Sequence, residues 1–247
     1  MQKPILYVFH ISHYCEKARW ALDHFGIAYE VRPVMVGMHR RIAKSLGAKR
    51  GSVPFLQIDG GVIAGSAAII DWSEAQSSEG AARLGGDDVQ QVRAIEARLD
   101  AVAGVHVRRF FYSYALRDDP ASVRPLFTKG LPLWQRVAVT VGWSRVVAIM
   151  QRGMDLGLEQ GLDSRAMLET ELAWLDALLS DGRPYLTGTQ FTRADLTAAS
   201  LLAPLVSPKE HPLDGELVFP VAVASTMHEW AERPSLRFVR SVYAAHR

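Results

Sequence analysis

The opening of the chain restricts its fold more than any other stretch. Ile5-Leu6-Tyr7-Val8-Phe9 is a short run of β-branched and aromatic residues, the pattern of a buried strand. Ala18, Ala21, Leu22 and Phe25 then recur at helical spacing, and Gly26 supplies a stop. Tyr29 to Val31 reads as a second strand. A strand, a helix and a strand in immediate succession imply a parallel pair joined by a crossover helix.

The next stretch, 34–52, is irregular and carries basic residues and glycines. Pro54 to Ile58 reads as a further strand. Asp59-Gly60 is a strong hairpin signal, with Val62-Ile63 returning as the partner. A helix beginning near Ser66 carries Ile69, Ile70 and Trp72. The predicted order is β-α-β-(α)-β-β-α. Residues 76–88 are polar and rich in small side chains, which marks a linker. Beyond it the helical period dominates: Val92, Ile95, Leu99 and Val102; then Leu168, Leu172, Leu175 and Leu179; then Thr192 to Leu202; and finally Met227, Trp230 and Leu236 to Tyr243. The chain therefore reads as an α/β domain over 1–78 and an all-helical domain over 88–247.

Composition limits the classes of function. The chain has 247 residues, long enough for two small domains, and 49% of them are hydrophobic. A net charge of +2 gives no footprint for nucleic acid, and Arg40-Arg41, Lys49-Arg50 and Arg108-Arg109 read as solvated surface. Cys15 is the single cysteine, so no intramolecular disulfide can form, and no metal site is expected. Met1-Gln2-Lys3-Pro4 runs straight into the first strand without a leader pattern. A cytoplasmic setting is expected, with no membrane partner. The apolar stretch Val137 to Met150 is broken by Arg145 and reads as core packing, although Arg136, Arg145 and Arg152 give it some amphipathic character.

Three local features carry chemistry. Ser12-His13-Tyr14-Cys15 lies between the first strand and first helix, where unpaired N–H groups and a partial positive charge stabilise an anion. Ser12 fits a helix N-cap or a donor to a substrate thiolate. Cys15 fits a small buried hydrophobe, or a thiol activated by the first turn. Ser52-Val53-Pro54 enters the central strand, and a proline there marks either an ordinary strand start or a cis bond. A cis bond would turn the Val53 backbone outward to pair with an extended peptide. Gly65-Ser66-Ala67-Ala68 begins a helix with small residues, which leaves N–H groups open for a carboxylate or forms a plain cap.

Together and in this order, these features resemble the glutathione transferase superfamily, in its bacterial-type members with serine or cysteine in the first loop. Ser12 to Leu22 with Phe25 to Glu30 is similar to the family's first loop, helix and second strand. Ser52-Val53-Pro54-Phe55-Leu56 is similar to its cis-proline strand, Ser66 to Ile70 to its γ-glutamyl-binding turn, and Phe191 to Leu196 to the capping box of its helical domain. The resemblance implies a thioredoxin-like N-terminal domain followed by an all-α domain, the glutathione transferase fold. It implies glutathione as cosubstrate, an apolar electrophile as second substrate, and a homodimer that pairs the helix after Ser66 with the helix from Val89 to Val105. By position it places Ser12 at the glutathione sulfur, with Cys15 as alternative. It places Val53, Pro54, Gly65, Ser66 and Ala67 along the glutathione peptide, and Thr192 and Asp195 as a structural pair.

Two departures qualify that reading. Many members carry an acidic residue where this chain has Gly65, so weak glutathione affinity is expected. The stretch from Arg108 to Leu162 is longer than usual and rich in aromatics. Phe110, Phe111 and Tyr114, with Tyr14, are candidates for the electrophile pocket, and core packing of a helical insertion is the other reading. Two rival functions share the pattern: a Cys15-dependent, glutathione-linked thiol transferase or reductase, and a non-catalytic binding protein.

Overall fold

The computed structural model describes residues 3–77 and 83–247. Of the linker expected at 76–88, residues 78–82 lie outside the described residues, as does the expected domain end at 78. So do Met1 and Gln2. The described chain forms two compact units. One combines Met1–Arg83 with Arg124–Val146, and the other combines Leu84–Val123 with Val147–Arg247.

The first unit is built on a four-stranded sheet in the order β2-β1-β3-β4. The strands are β1 (Ile5–Val8), β2 (Glu30–Pro33), β3 (Phe55–Ile58) and β4 (Gly61–Ala64). The helices are α1 (His13–His24), α2 (Met38–Ser45) and α3 (Ser66–Gln76). β1 and β2 are parallel, pairing Ile5 with Glu30 through to Val8 with Pro33. β3 runs antiparallel to both β1 and β4. This is the thioredoxin-like arrangement expected of the opening. β1 stops one residue before Phe9, whose carbonyl turns to accept the Ser12 N–H at 3.0 Å. β3 starts one residue after Pro54, which has no N–H for the ladder.

Alternation along β1 divides the core. Leu6 and Val8 pack with Cys15, Ala18, Leu22, Leu56 and Ile69, beneath α1 and α3. Ile5 and Tyr7 pack with Val34, Ala43 and Phe55 on the opposite face, beneath α2.

The same unit takes in part of the long aromatic stretch. Arg124–Val146 holds the end of α6 (Pro120–Thr128), all of α7 (Leu133–Val141) and the first turn of α8 (Trp143–Met154), the rest of α6 and α8 belonging to the other unit. Phe127 lies 5.8 Å from Phe9 and 5.9 Å from Trp143, ring centre to ring centre. Gly130, at φ 73°, closes the corner against β2: a Cβ there would fall 2.7 Å from Pro33 and 3.3 Å from the His10 ring. The expectation that Val137 to Met150 is core needs correcting. Val139, Trp143 and Met150 are buried, but Val137, Val141 and Ile149 are exposed, as are Leu133 and Trp134.

The second unit is helical. α4 (Val89–Arg98) runs through a π-helical turn (Leu99–Ala103) into α5 (Gly104–Asp118). α9 (Leu158–Leu178), α10 (Arg193–Val206), α11 (Val221–Trp230) and α12 (Pro234–His246) follow. Val92, Ile95, Leu99, Leu168, Leu172 and Leu175 are buried, as their spacing predicted. α10 runs through the middle of the unit, and nearly all its residues are buried. Its first turn is fixed by Asp195, whose carboxylate accepts the Leu186 and Thr192 N–H groups at 2.7 Å each. The side chains of Thr192 and Asp195 complete a capping box.

Candidate functional site

Sheet topology alone brings the three sequence features together. β1 and β3 are antiparallel, with Tyr7 opposite Phe55, so the end of β1 lies beside the start of β3. β3 and β4 are antiparallel, with Phe55 opposite Ala64, so the end of β4 lies beside the same start. The Ser12 loop, Val53-Pro54 and Gly65-Ser66 therefore share one end of the sheet. The Gly65 N–H donates to the Pro54 carbonyl at 3.0 Å, which ties two of them directly.

Ser12 occupies the N-cap of α1 and is half-buried. The Cys15 N–H donates to the Ser12 carbonyl at 2.9 Å and, at a longer 3.4 Å, to the Ser12 Oγ. The cap is thus shared and long, and it uses only a lone pair of the hydroxyl. The hydroxyl proton can turn to the Cys15 thiol or, by rotation, to a ligand. The two readings of Ser12 are compatible in this geometry.

Cys15 is 1% exposed, between β1 and α3 in the core. Burial pushes its thiol up to about 11, although the Ser12 hydrogen bond, the Phe9 backbone and the Arg19 charge all pull the other way. A buried thiol raised in this way stays protonated at neutral pH. The geometry favours the buried hydrophobe over the activated nucleophile.

The Val53–Pro54 peptide is cis, as the strand-opening proline allowed. Val53 is half-buried and makes no backbone hydrogen bond among the described residues, so its N–H and C=O are open to an extended peptide. Gly65 is the N-cap of α3 at φ 98° and ψ 145°, and α3 has no side-chain cap. Ser66 is buried at its first position, with Ala67 beside it. A helix N-terminus whose cap residue offers no side chain attracts a carboxylate. The backbone of Gly65 accounts for the glycine: a side chain there would meet open space, but its conformation is one that side chains disfavour.

Tyr14 is half-buried in the first turn of α1, its ring 4.6 Å from that of His13. Phe110, Phe111 and Tyr114 lie in the other unit and are buried there. Phe110 packs on Tyr114 at 5.5 Å and Trp230 at 6.3 Å, and Phe111 packs on Phe219 at 5.9 Å. That is the core-packing arrangement the sequence left open beside a pocket.

Sequence reasoning missed two neighbours of the first loop. Arg19 is buried on α1, and its guanidinium lies 3.1 Å from the His10 Nδ1. It adds positive charge beside the Ser12 loop. The Gly130 corner reaches the same His10 ring. Arg19 could have been found from its helical position, four residues after Cys15, on a face otherwise apolar. The approach of Gly130 has no local signal. Among the described residues, no group of three or more His, Cys, Asp or Glu side chains is placed to hold a metal ion.

Comparison with known proteins agrees with this architecture. Residues 6–80 match the family described as glutathione S-transferase, N-terminal domain. Glutathione transferase GSTFuA3 from Phanerochaete chrysosporium superposes with a TM-score of 0.65 at 18% identity, over 100% of this chain and 98% of its own. The β-etherase LigF from Sphingobium sp. strain SYK-6 gives 0.62 at 17% identity, over 97% and 99%. A glutathione S-transferase-I bound with lactoylglutathione gives 0.56 at 17% identity, over 98% and 100%. No curated protein gives a significant match. The fold is therefore that of glutathione transferases.

Proposed function

We propose that this chain is a member of the glutathione transferase superfamily. In this reading it binds glutathione across the end of the sheet where β3 and α3 start. It then transfers the glutathione thiolate to an apolar electrophile. The observation that carries the reading is the open main chain of Val53 ahead of Pro54, at the same end of the sheet as Ser12 and the glycine-capped N-terminus of α3. An extended tripeptide needs that combination: a backbone to pair with at its centre, a helix N-terminus for one carboxylate, and a donor for its sulfur.

Each residue then has a task. Val53 pairs with the cysteinyl backbone, Pro54 fixes that backbone outward, and Gly65, Ser66 and Ala67 receive the γ-glutamyl carboxylate. The Ser12 hydroxyl donates to the sulfur. With the α1 N-terminus and the Arg19 charge, it favours thiolate over thiol. The thiol proton leaves to solvent. The thiolate forms a bond to the electrophilic carbon, and the leaving group departs with the electron pair. Tyr14, half-buried beside Ser12, is proposed to contact the electrophile. The match to β-etherase and transferase structures supports this class of chemistry without selecting one substrate. A homodimer and a cytoplasmic location belong to the same proposal.

Gly65 favours one competing reading, a glutathione transferase scaffold used for binding without turnover, because it offers no carboxylate to the glutathione ammonium. Calorimetry with glutathione and with S-methylglutathione tests the proposal. Both should bind at one site per chain, and only glutathione should release a proton. Failure of both to bind at millimolar concentration would remove the proposal.

A further inference from the structure

The outward face of α7 has no place in the reading above and does not depend on it. Leu133 is 73% exposed, Trp134 60%, Val137 54% and Val141 82%. At 3.6 residues per turn, these side chains and exposed Ala138 fall within an arc of about 140°. Buried Val139 lies on the opposite side, where α7 meets its own unit. The helix is thus amphipathic in the wrong sense for a surface helix: its broad apolar stripe points away from the core.

Charge says what covers that stripe. From Pro120 to Met154 the sequence holds Arg124, Lys129, Arg136, Arg145 and Arg152, and no aspartate or glutamate. Arg136 and Arg145, both exposed, make no ion pair among the described residues. A second copy meeting this face about a two-fold axis would set these cations against themselves, with no carboxylate in the segment to pair with them. An anionic surface that also accepts aliphatic side chains and an indole satisfies both features at once. That is the chemistry of a membrane with acidic lipids. No helix among the described residues is long and apolar enough to cross a membrane, so the contact is peripheral.

We propose that α7 docks the protein on anionic lipid, inserting Leu133, Trp134, Val137 and Val141 while Arg136 and Arg145 pair with headgroups. This revises the expectation that the chain has no membrane partner.

Co-sedimentation of the full chain with vesicles tests it. The protein should pellet with phosphatidylcholine vesicles that contain phosphatidylserine and stay in solution with phosphatidylcholine alone. Binding should fall as salt is raised. Arg136→Gln and Arg145→Gln should each lower the partition about fivefold. Val137→Asp should abolish it with the circular dichroism spectrum unchanged, and Trp134 fluorescence should shift to the blue on binding. Because Val137 is exposed, that variant is expected to fold. If it does not, Val141→Asp provides the same test. No partition to anionic vesicles, or partition indifferent to the apolar substitutions, would overturn the proposal. So would a sedimenting mass that Val137→Asp lowers, since the face would then be covered by a second copy. A complex with polyglutamate that persists at salt where vesicle binding is gone would assign the face to an acidic protein instead.

Discussion

Replacing Ser12 with alanine separates the two tasks assigned to its hydroxyl. As a helix cap, the Oγ takes only the longer branch, 3.4 Å, of a Cys15 N–H already bonded to the Ser12 carbonyl at 2.9 Å. Loss of the cap should therefore cost about 0.5 kcal/mol, the low end for N-cap replacements. As a donor to a thiolate, the hydroxyl makes a hydrogen bond to a charged partner, about 1.5–3 kcal/mol. At about 1.4 kcal/mol per unit, its loss should raise the thiol pKa of bound glutathione by about one to two units. Turnover at a pH below that pKa should drop about 10- to 100-fold, while affinity, carried by Val53 and the α3 N-terminus, changes little. Ultraviolet absorbance of the bound thiolate against pH reads the shift, and urea unfolding reads the cap. An unchanged titration in Ser12→Ala, with activity lost instead in Cys15→Ala, would refute the assignment and restore the cysteine-based rival.

Cys15→Ala should leave turnover within about twofold, and the native thiol should resist an aromatic disulfide reagent until the protein unfolds, since it is buried and pushed up to about 11. Gly65→Asp adds a carboxylate for the glutathione ammonium, but at φ 98° any side chain there carries about 1–3 kcal/mol of backbone strain. Calorimetry should therefore show Gly65→Asp binding glutathione more tightly than Gly65→Ala, and equal affinity would assign the ammonium to another residue. Asp195→Ala orphans the buried Leu186 and Thr192 N–H groups and should lower unfolding free energy by about 2–6 kcal/mol, read by urea denaturation. A loss under about 1 kcal/mol would mean water replaces the carboxylate. Sedimentation at micromolar concentration should give a dimer, and Val137→Asp should leave it intact.

The fold was legible where short-range chemistry determines structure. The Ile5 run, the Asp59-Gly60 turn and the strand-opening Pro54 each act over a few residues, and their order fixes which ends of β1, β3 and β4 meet. The Thr192 to Asp195 capping box is local in the same way. The structure departed from the expectation where a partner is distant in sequence. Val137 and Val141 recur at helical spacing whether their face meets core or solvent, and periodicity does not say which. The rings that enclose Phe110 and Phe111 come from Trp230 and Phe219, more than a hundred residues on, so a pocket and a packed core looked alike. The sequence shows that Gly65 lacks a carboxylate, but not its φ, which makes glycine the least strained choice and is a property of the folded backbone.

A crystal structure of the chain soaked with glutathione tests the central claim most directly. The account predicts an extended tripeptide across that end of the sheet, its cysteinyl backbone paired with Val53 and its γ-glutamyl carboxylate at the N-terminus of α3. The sulfur should lie within hydrogen-bond distance of the Ser12 Oγ. Glutathione bound elsewhere, or absent from this end at saturating concentration, would contradict the account.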